Sequence, residues 1–114
     1  MIREKLLETK TCEVFNELVE RHGRNIASIL AEARKKYAEA IHNRSEFDYD
    51  VYGHICNFME EVICTEFFGI TVDEVVRLRE EDVEELECLV TEFMALHLYY
   101  FDDEKGIWYR PEIH

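Results

Sequence analysis

Glu39-Ala-Ile-His42 sets a glutamate and a histidine three residues apart. That spacing puts both side chains on one helix face, and di-iron helical bundles use it to hold metal on two of their four helices. A complete site of that kind needs a second Glu-x-x-His and two further inward carboxylates. No second copy occurs in the chain. Ala40 and Ile41 belong to the apolar side of the segment, which turns Glu39 toward solvent. His54 and Glu61, with Asn57 between them, make another polar stripe. It either lines a pocket or forms the wet side of a helix, and the wet side is the commoner arrangement. His97 falls in an apolar register, the usual place of a core or boundary histidine; proton transfer there requires a carboxylate brought from elsewhere. Glu39, His42, His54 and Glu61, with His97, are therefore the candidate metal or small-ligand set.

The four cysteines, Cys12, Cys56, Cys64 and Cys88, contain no C-x-x-C pair. Their spacing fits reduced, structural thiols rather than a disulfide framework or a zinc site. Cys56 is expected to be packed, with Cys12 and Cys64 near edges. Cys88 lies between Glu84 and Glu92, a poor setting for a nucleophilic thiolate. No Ser/His/Asp order, phosphate loop, HExxH or EF-hand loop is present. The expectation is a protein that is not an enzyme, with no catalytic residue and no implied cofactor.

The densest charge lies in "REEDVEELE", Arg79 to Glu87, with six carboxylates behind one arginine. It is part of a strong asymmetry. Residues 1–44 hold nine Lys/Arg against seven Asp/Glu, whereas residues 45–114 hold four against nineteen. Phosphate neutralisation needs cations, so direct nucleic-acid binding through the second part is disfavoured. An acidic face instead steers a basic partner. Its ordinary use is a solvated surface that keeps the protein soluble. The partner-binding candidates are Glu80, Glu81, Asp82, Glu84, Glu85 and Glu87, acting as charge; spread along a helix, they imitate a phosphate track. A basic patch, Arg21, Arg24, Arg34, Lys35 and Lys36, is expected to pair with the acidic half, inside the fold or across a dimer. A helix-turn-helix around Gly69 would present Asp73 and Glu74 where such motifs approach DNA, and those charges oppose docking.

The elements that must position these residues are helices. One proline and four glycines in 114 residues leave few breakers, and a chain of this length buries a core without staples. Apolar periodicity predicts helices over Ile2–His22, closed by Gly23, and from an Asn25 cap to His42. The link 43–50 reads as turn-like. A central helix over Asp50–Phe68 is apolar on two adjoining stripes and ends at Gly69. Thr71 and Glu74 form a capping box, with Ile70 and Val75 as its staple, for a short helix to about Leu78. A last helix, Asp82–Leu98, turns Val83, Leu86, Val90, Phe93, Met94 and His97 inward. "LYYFDDEKGIWYR" has the aromatic flanks and glycine of a hairpin, although helical spacing continues to Tyr100.

The fold expected is all-α: a compact single-domain bundle of about five helices with a short, hairpin-like C-terminal extension. Within it, 1–44 is a near-neutral or basic helical pair, 45–101 acidic helices and 102–114 an extended aromatic tail. No run is long enough to span a bilayer, and no secretory signal is recognisable at the N-terminus, so the cytoplasm is the expected compartment. The functional expectation is a small acidic interaction domain that docks its acidic helical face on a basic, nucleic-acid-binding protein surface, as an inhibitor in its sharpest form. The alternatives are a helical metal- or small-ligand-binding domain and a degenerate helix-turn-helix regulator. The wide apolar helix would also suit a homodimer.

Overall fold

The computed structural model describes residues 2–111. Helix α1 (Ile2–His22) turns Val14 and Leu18 inward. It stops at Gly23, whose φ of +63° is the left-handed conformation of a helix C-cap, with its N–H bonded to the Val19 carbonyl at 2.7 Å. Helix α2 (Ile26–His42) begins where the Asn25 side chain accepts from the Ser28 N–H at 3.1 Å. Its inward face is short-chained: Ala27, Ala31, Ala33 and Ala40 alternate with Ile29 and Leu30. Small residues let α2 lie close against helix α3 (Glu46–Val62), which contributes Val51, Ile55, Cys56 and Met59 to the same core.

The segment 43–50, expected to be a turn, is mostly helix. Ser45 caps α3 by accepting from the Asp48 N–H, and Glu46 and Asp48 lie at the positive end of the helix dipole. The central helix is expected to stay regular to Phe68, yet its last turn widens into a π-helical segment, Ile63–Phe67. There the Phe68 N–H reaches back to the Ile63 carbonyl, and Gly69, at φ +68°, reverses the chain. The wider turn carries Ile63 and Cys64 into full burial, so Cys64 is a core residue and not an edge one.

Helix α4 (Val72–Glu81) extends one turn beyond Leu78, to a single-residue link at Asp82 that also caps helix α5 (Val83–Leu96). Half of the expected capping box forms. Thr71 Oγ1 accepts from the Glu74 N–H at 3.2 Å, but the Glu74 carboxylate turns to Arg77. Val75, Leu78, Leu86 and Cys64 make a satellite cluster, packed by Ile70 and Leu89. Val90, Phe93 and Met94 of α5 continue into the main core, so α5 ties the two clusters together. Val83 was expected inward, but at the first turn of α5 it is half exposed. Ile41 and Phe58, also assigned to apolar stripes, lie open, because each stripe is wider than its neighbour covers.

The tail is a two-stranded antiparallel hairpin, β1 (Tyr100–Asp102) and β2 (Ile107–Tyr109), with Phe101 opposite Trp108. The ribbon therefore takes residues 100–101 out of the expected helical region, and 112–114 of the expected tail lie outside the described residues. Asp102 organises its turn by accepting from the Glu104 and Lys105 N–H groups. Trp108 and Tyr99 fold back onto the main core. Among the described residues no helix is long and apolar enough to cross a membrane.

The packing gives a graded stability prediction. Leu30, 1% exposed at the centre of α2, should cost about 2–5 kcal/mol when cut to alanine, whereas Leu6, 58% exposed, should change stability by no more than about 0.5 kcal/mol. Urea denaturation of the two variants checks this; equal losses would contradict the packing.

Candidate functional site

Two regions carry clustered polar chemistry. The first is the α4–α5 corner. Glu80, Glu81, Asp82, Glu84, Glu85 and Glu87 are all exposed there. Asp82 spends its side chain on the Glu85 N–H at 3.3 Å, and Glu81 pairs with Arg77 at 3.4 Å. Among the described residues the other four make no ion pair, so the corner is unneutralised negative charge. Val72, Val76 and Val83, each about half exposed, stand on the same two helices.

The basic patch does not neutralise this charge. Arg21 pairs with Glu32 and Lys36 with Glu39, both within the first part of the chain. Burial pushes the Glu32 carboxyl up, but hydrogen bonds from Arg21 and His22 outweigh it and hold the group below its ordinary value. Local partners win because they are adjacent on α1 and α2, while the acidic corner lies on other helices. Arg3–Asp50, at 2.8 Å, and Arg79–Glu60, at 3.6 Å, are the cross-element pairs of α3.

The second region is a cleft of about 210 Å³ between α2 and α3. Arg34 and Tyr37 line it from α2, and Tyr49, Asp50, His54, Asn57 and Glu60 from α3, with Gly53 and Cys56 between them. Helical periodicity explains the set: 49/50, 53, 56/57 and 60 recur every three or four residues along one face of α3. Tyr37 and Tyr49 pack with ring centroids 4.7 Å apart and planes tilted by 33°. Burial, then the hydrogen bond with Tyr49, pushes the Tyr37 phenol up to about 12. Burial also holds the Cys56 thiol up at about 12, so it is an inert thiol in the cleft wall. The Arg34 guanidinium lies over Tyr37 and Phe101 and donates from Nε to the Gly106 carbonyl at 2.9 Å, fastening the hairpin to α2. Burial raises the Glu60 carboxyl above its ordinary value; Arg79 and Arg34 offset this in part and Glu87 adds to it.

Of the candidate metal set, only His54 reaches this cleft, and it also borders an apolar hollow lined by Cys12, Phe15 and Phe58. Glu39 and His42 are exposed at the far end of α2, and Glu61 is partly covered on α3. His97 caps α5, stacked on Phe93 at 4.5 Å, with Nδ1 3.3 Å from the Phe93 carbonyl. The structure does not bring these five together, and among the described residues no group of three or more His, Cys, Asp or Glu converges to hold a metal ion. Sequence reasoning passed over Arg34, Tyr37, Tyr49, Asp50 and Glu60 as site residues. Gly53, a glycine inside a strongly helical segment, was the available signal.

No known protein family, curated protein or solved structure matches this chain.

The raised Glu60 carboxyl sets a pH dependence. The folded state binds this proton more tightly than the unfolded chain. Its stabilising contribution is therefore full below the ordinary carboxylate value of 4.5 and is lost as pH rises through the folded value. Glu60→Gln keeps the shape and removes the titration. The variant's thermal midpoint relative to the unaltered protein should increase between pH 4 and pH 7; a difference independent of pH would show that Glu60 is not desolvated.

Proposed function

We propose that this protein is a non-enzymatic interaction domain whose α4–α5 corner docks on a basic protein surface. One observation carries the reading: six carboxylates sit exposed at a single corner of two helices, and five of them have no ion-pair partner among the described residues. Unpaired surface charge of one sign attracts the opposite sign over roughly a Debye length, about 8–10 Å at physiological salt, and repels nucleic acid. The half-exposed Val72, Val76 and Val83 add apolar area to the same helices, and such area supplies affinity once charge has steered the encounter. A nucleic-acid-binding protein is the fitting partner, because its groove already receives a spaced row of negative charges. The protein then acts by occupying that groove, and no residue of the corner performs chemistry.

Glu80→Lys, Glu84→Lys and Glu85→Lys together reverse the corner without removing the Arg77 pair or the Asp82 cap. A nuclease-treated pull-down from source-cell lysate should recover a stoichiometric basic protein at low salt and release it near 0.5 M salt, where surface charge is largely screened. The triple variant should lose that partner while keeping its helical circular dichroism. Absence of a stoichiometric partner at either salt would leave the corner a solvated face.

A further inference from the structure

Arg34 and Glu60 line the α2–α3 cleft from adjacent helices, yet they form no ion pair with each other. They are close enough that the arginine acts electrostatically on the carboxylate. Arg34 commits its Nε to Gly106, but among the described residues its terminal η nitrogens donate to nothing. The Glu60 side chain is 27% exposed, and its nearest cation, Arg79 Nη2, stands 3.6 Å away, beyond hydrogen-bond length. Arg79 instead donates to the Asn57 carbonyl at 3.2 Å. Two opposite charges thus face one cleft, and because neither is buried without a partner, both keep hydrogen-bonding capacity open on the cleft side.

We propose that this cleft binds a small zwitterion of the amino-acid class, its carboxylate held by the η N–H groups of Arg34 and its ammonium by the Glu60 carboxylate. The signs select the class. A simple anion entering the cleft meets Glu60 and Asp50 inside a protein of net charge −13. A simple cation meets Arg34, with Arg79 behind Glu60. A molecule bearing both charges a few bonds apart satisfies both walls and, being neutral overall, is not repelled by the acidic surface. The cleft's size, about 210 Å³, suits a molecule smaller than the drug-sized ligands of larger pockets. Asn57 offers both donors and an acceptor, and the ring of Tyr49, 42% exposed, offers a face to the ligand's side chain.

Gly53 stands in the wall of the same cleft. Glycine inside a helix costs about 0.5–1 kcal/mol relative to alanine. Here its backbone does not occupy the left-handed region, and an added Cβ would come no closer than 3.6 Å to Tyr37, an ordinary contact. Neither strain nor crowding requires glycine at this position. What the missing side chain leaves is the Tyr37 ring lying against the bare α3 backbone, where both residues form the cleft wall.

The test uses the full chain and the twenty protein amino acids, each at millimolar concentration, by thermal shift and then calorimetric titration of the strongest. One or more should raise the midpoint by several degrees through binding to the folded state and should titrate to one site. The corresponding amine without its carboxylate, and the acid without its amine, should bind much more weakly. Glu60→Gln should weaken binding about ten- to hundredfold, the worth of a charge-assisted hydrogen bond. Gly53→Leu should fill the cleft and abolish binding, while Gly53→Ala should fold and keep the site open. The Glu80/Glu84/Glu85→Lys protein should bind like the unaltered one, which separates this site from the acidic corner. The proposal is overturned if no amino acid binds, if the amine or the acid alone binds as well, or if binding survives Glu60→Gln.

Discussion

The close approach of α2 to α3 is the constraint on which the rest of the structure depends. Ala27 and Ala33 are completely buried in the core that the two helices share, and their small side chains permit the approach. Leu30, Val51, Ile55 and Met59 fill the space beside them, each large apolar side chain contributing roughly 1.5–3 kcal/mol when fully buried. α1 covers one side of this pair with Val14 and Leu18, and α5 covers another with Val90, Phe93 and Met94. Where the pair carries Tyr37 and Gly53 instead of aliphatic side chains, it parts into a cleft. The core and the cleft are consequences of one interface.

Arg34 links that interface to the hairpin. Its Nε bond to Gly106 is available because Gly106 takes the left-handed conformation, φ +68°, at the end of the β-turn. The guanidinium is shared between an α2 ring, Tyr37, and a β1 ring, Phe101, so one side chain is packed by both elements. Arg110 works similarly at the other end of the hairpin, lying over Tyr99 and donating to the His97 carbonyl at 2.9 Å. A two-stranded ribbon alone is marginal in water. These two arginines and the docking of Trp108 hold it against the helices.

Charge is distributed by what each helix has beside it. The cations of α1 and α2 find carboxylates on the same pair of helices, whereas the α4–α5 corner has only Arg77 and Arg79. Arg79 is drawn inward to α3 and Arg77 is occupied by Glu74 and Glu81. The acidic corner is left unneutralised because its own helices bring too few cations. Part of the repulsion is offset at the start of α5, where Asp82, Glu84 and Glu85 meet the positive end of the helix dipole.

The boundaries of α1 and α2, the Thr71 cap and the acidic corner were legible in the sequence because each rests on local physics: period, cap chemistry and charge count. The hairpin was legible as one of two readings, since aromatic flanks and a glycine mark a turn without excluding a longer helix. The π-helical turn at Ile63–Phe67 was not, because what draws Ile63 and Cys64 inward is a packing demand made by α4 and α5. Nor was the cleft. Glu39 and His42 satisfy a metal-ligand spacing along one helix, but a site needs groups from different helices, and the α2–α3 crossing selects Arg34 and Glu60 instead. The sequence by itself determined a helical bundle with its negative charge gathered at one end of the chain, since hydrophobic period and composition act locally. Which polar side chains meet was decided only by tertiary packing, because it depends on how the helices cross.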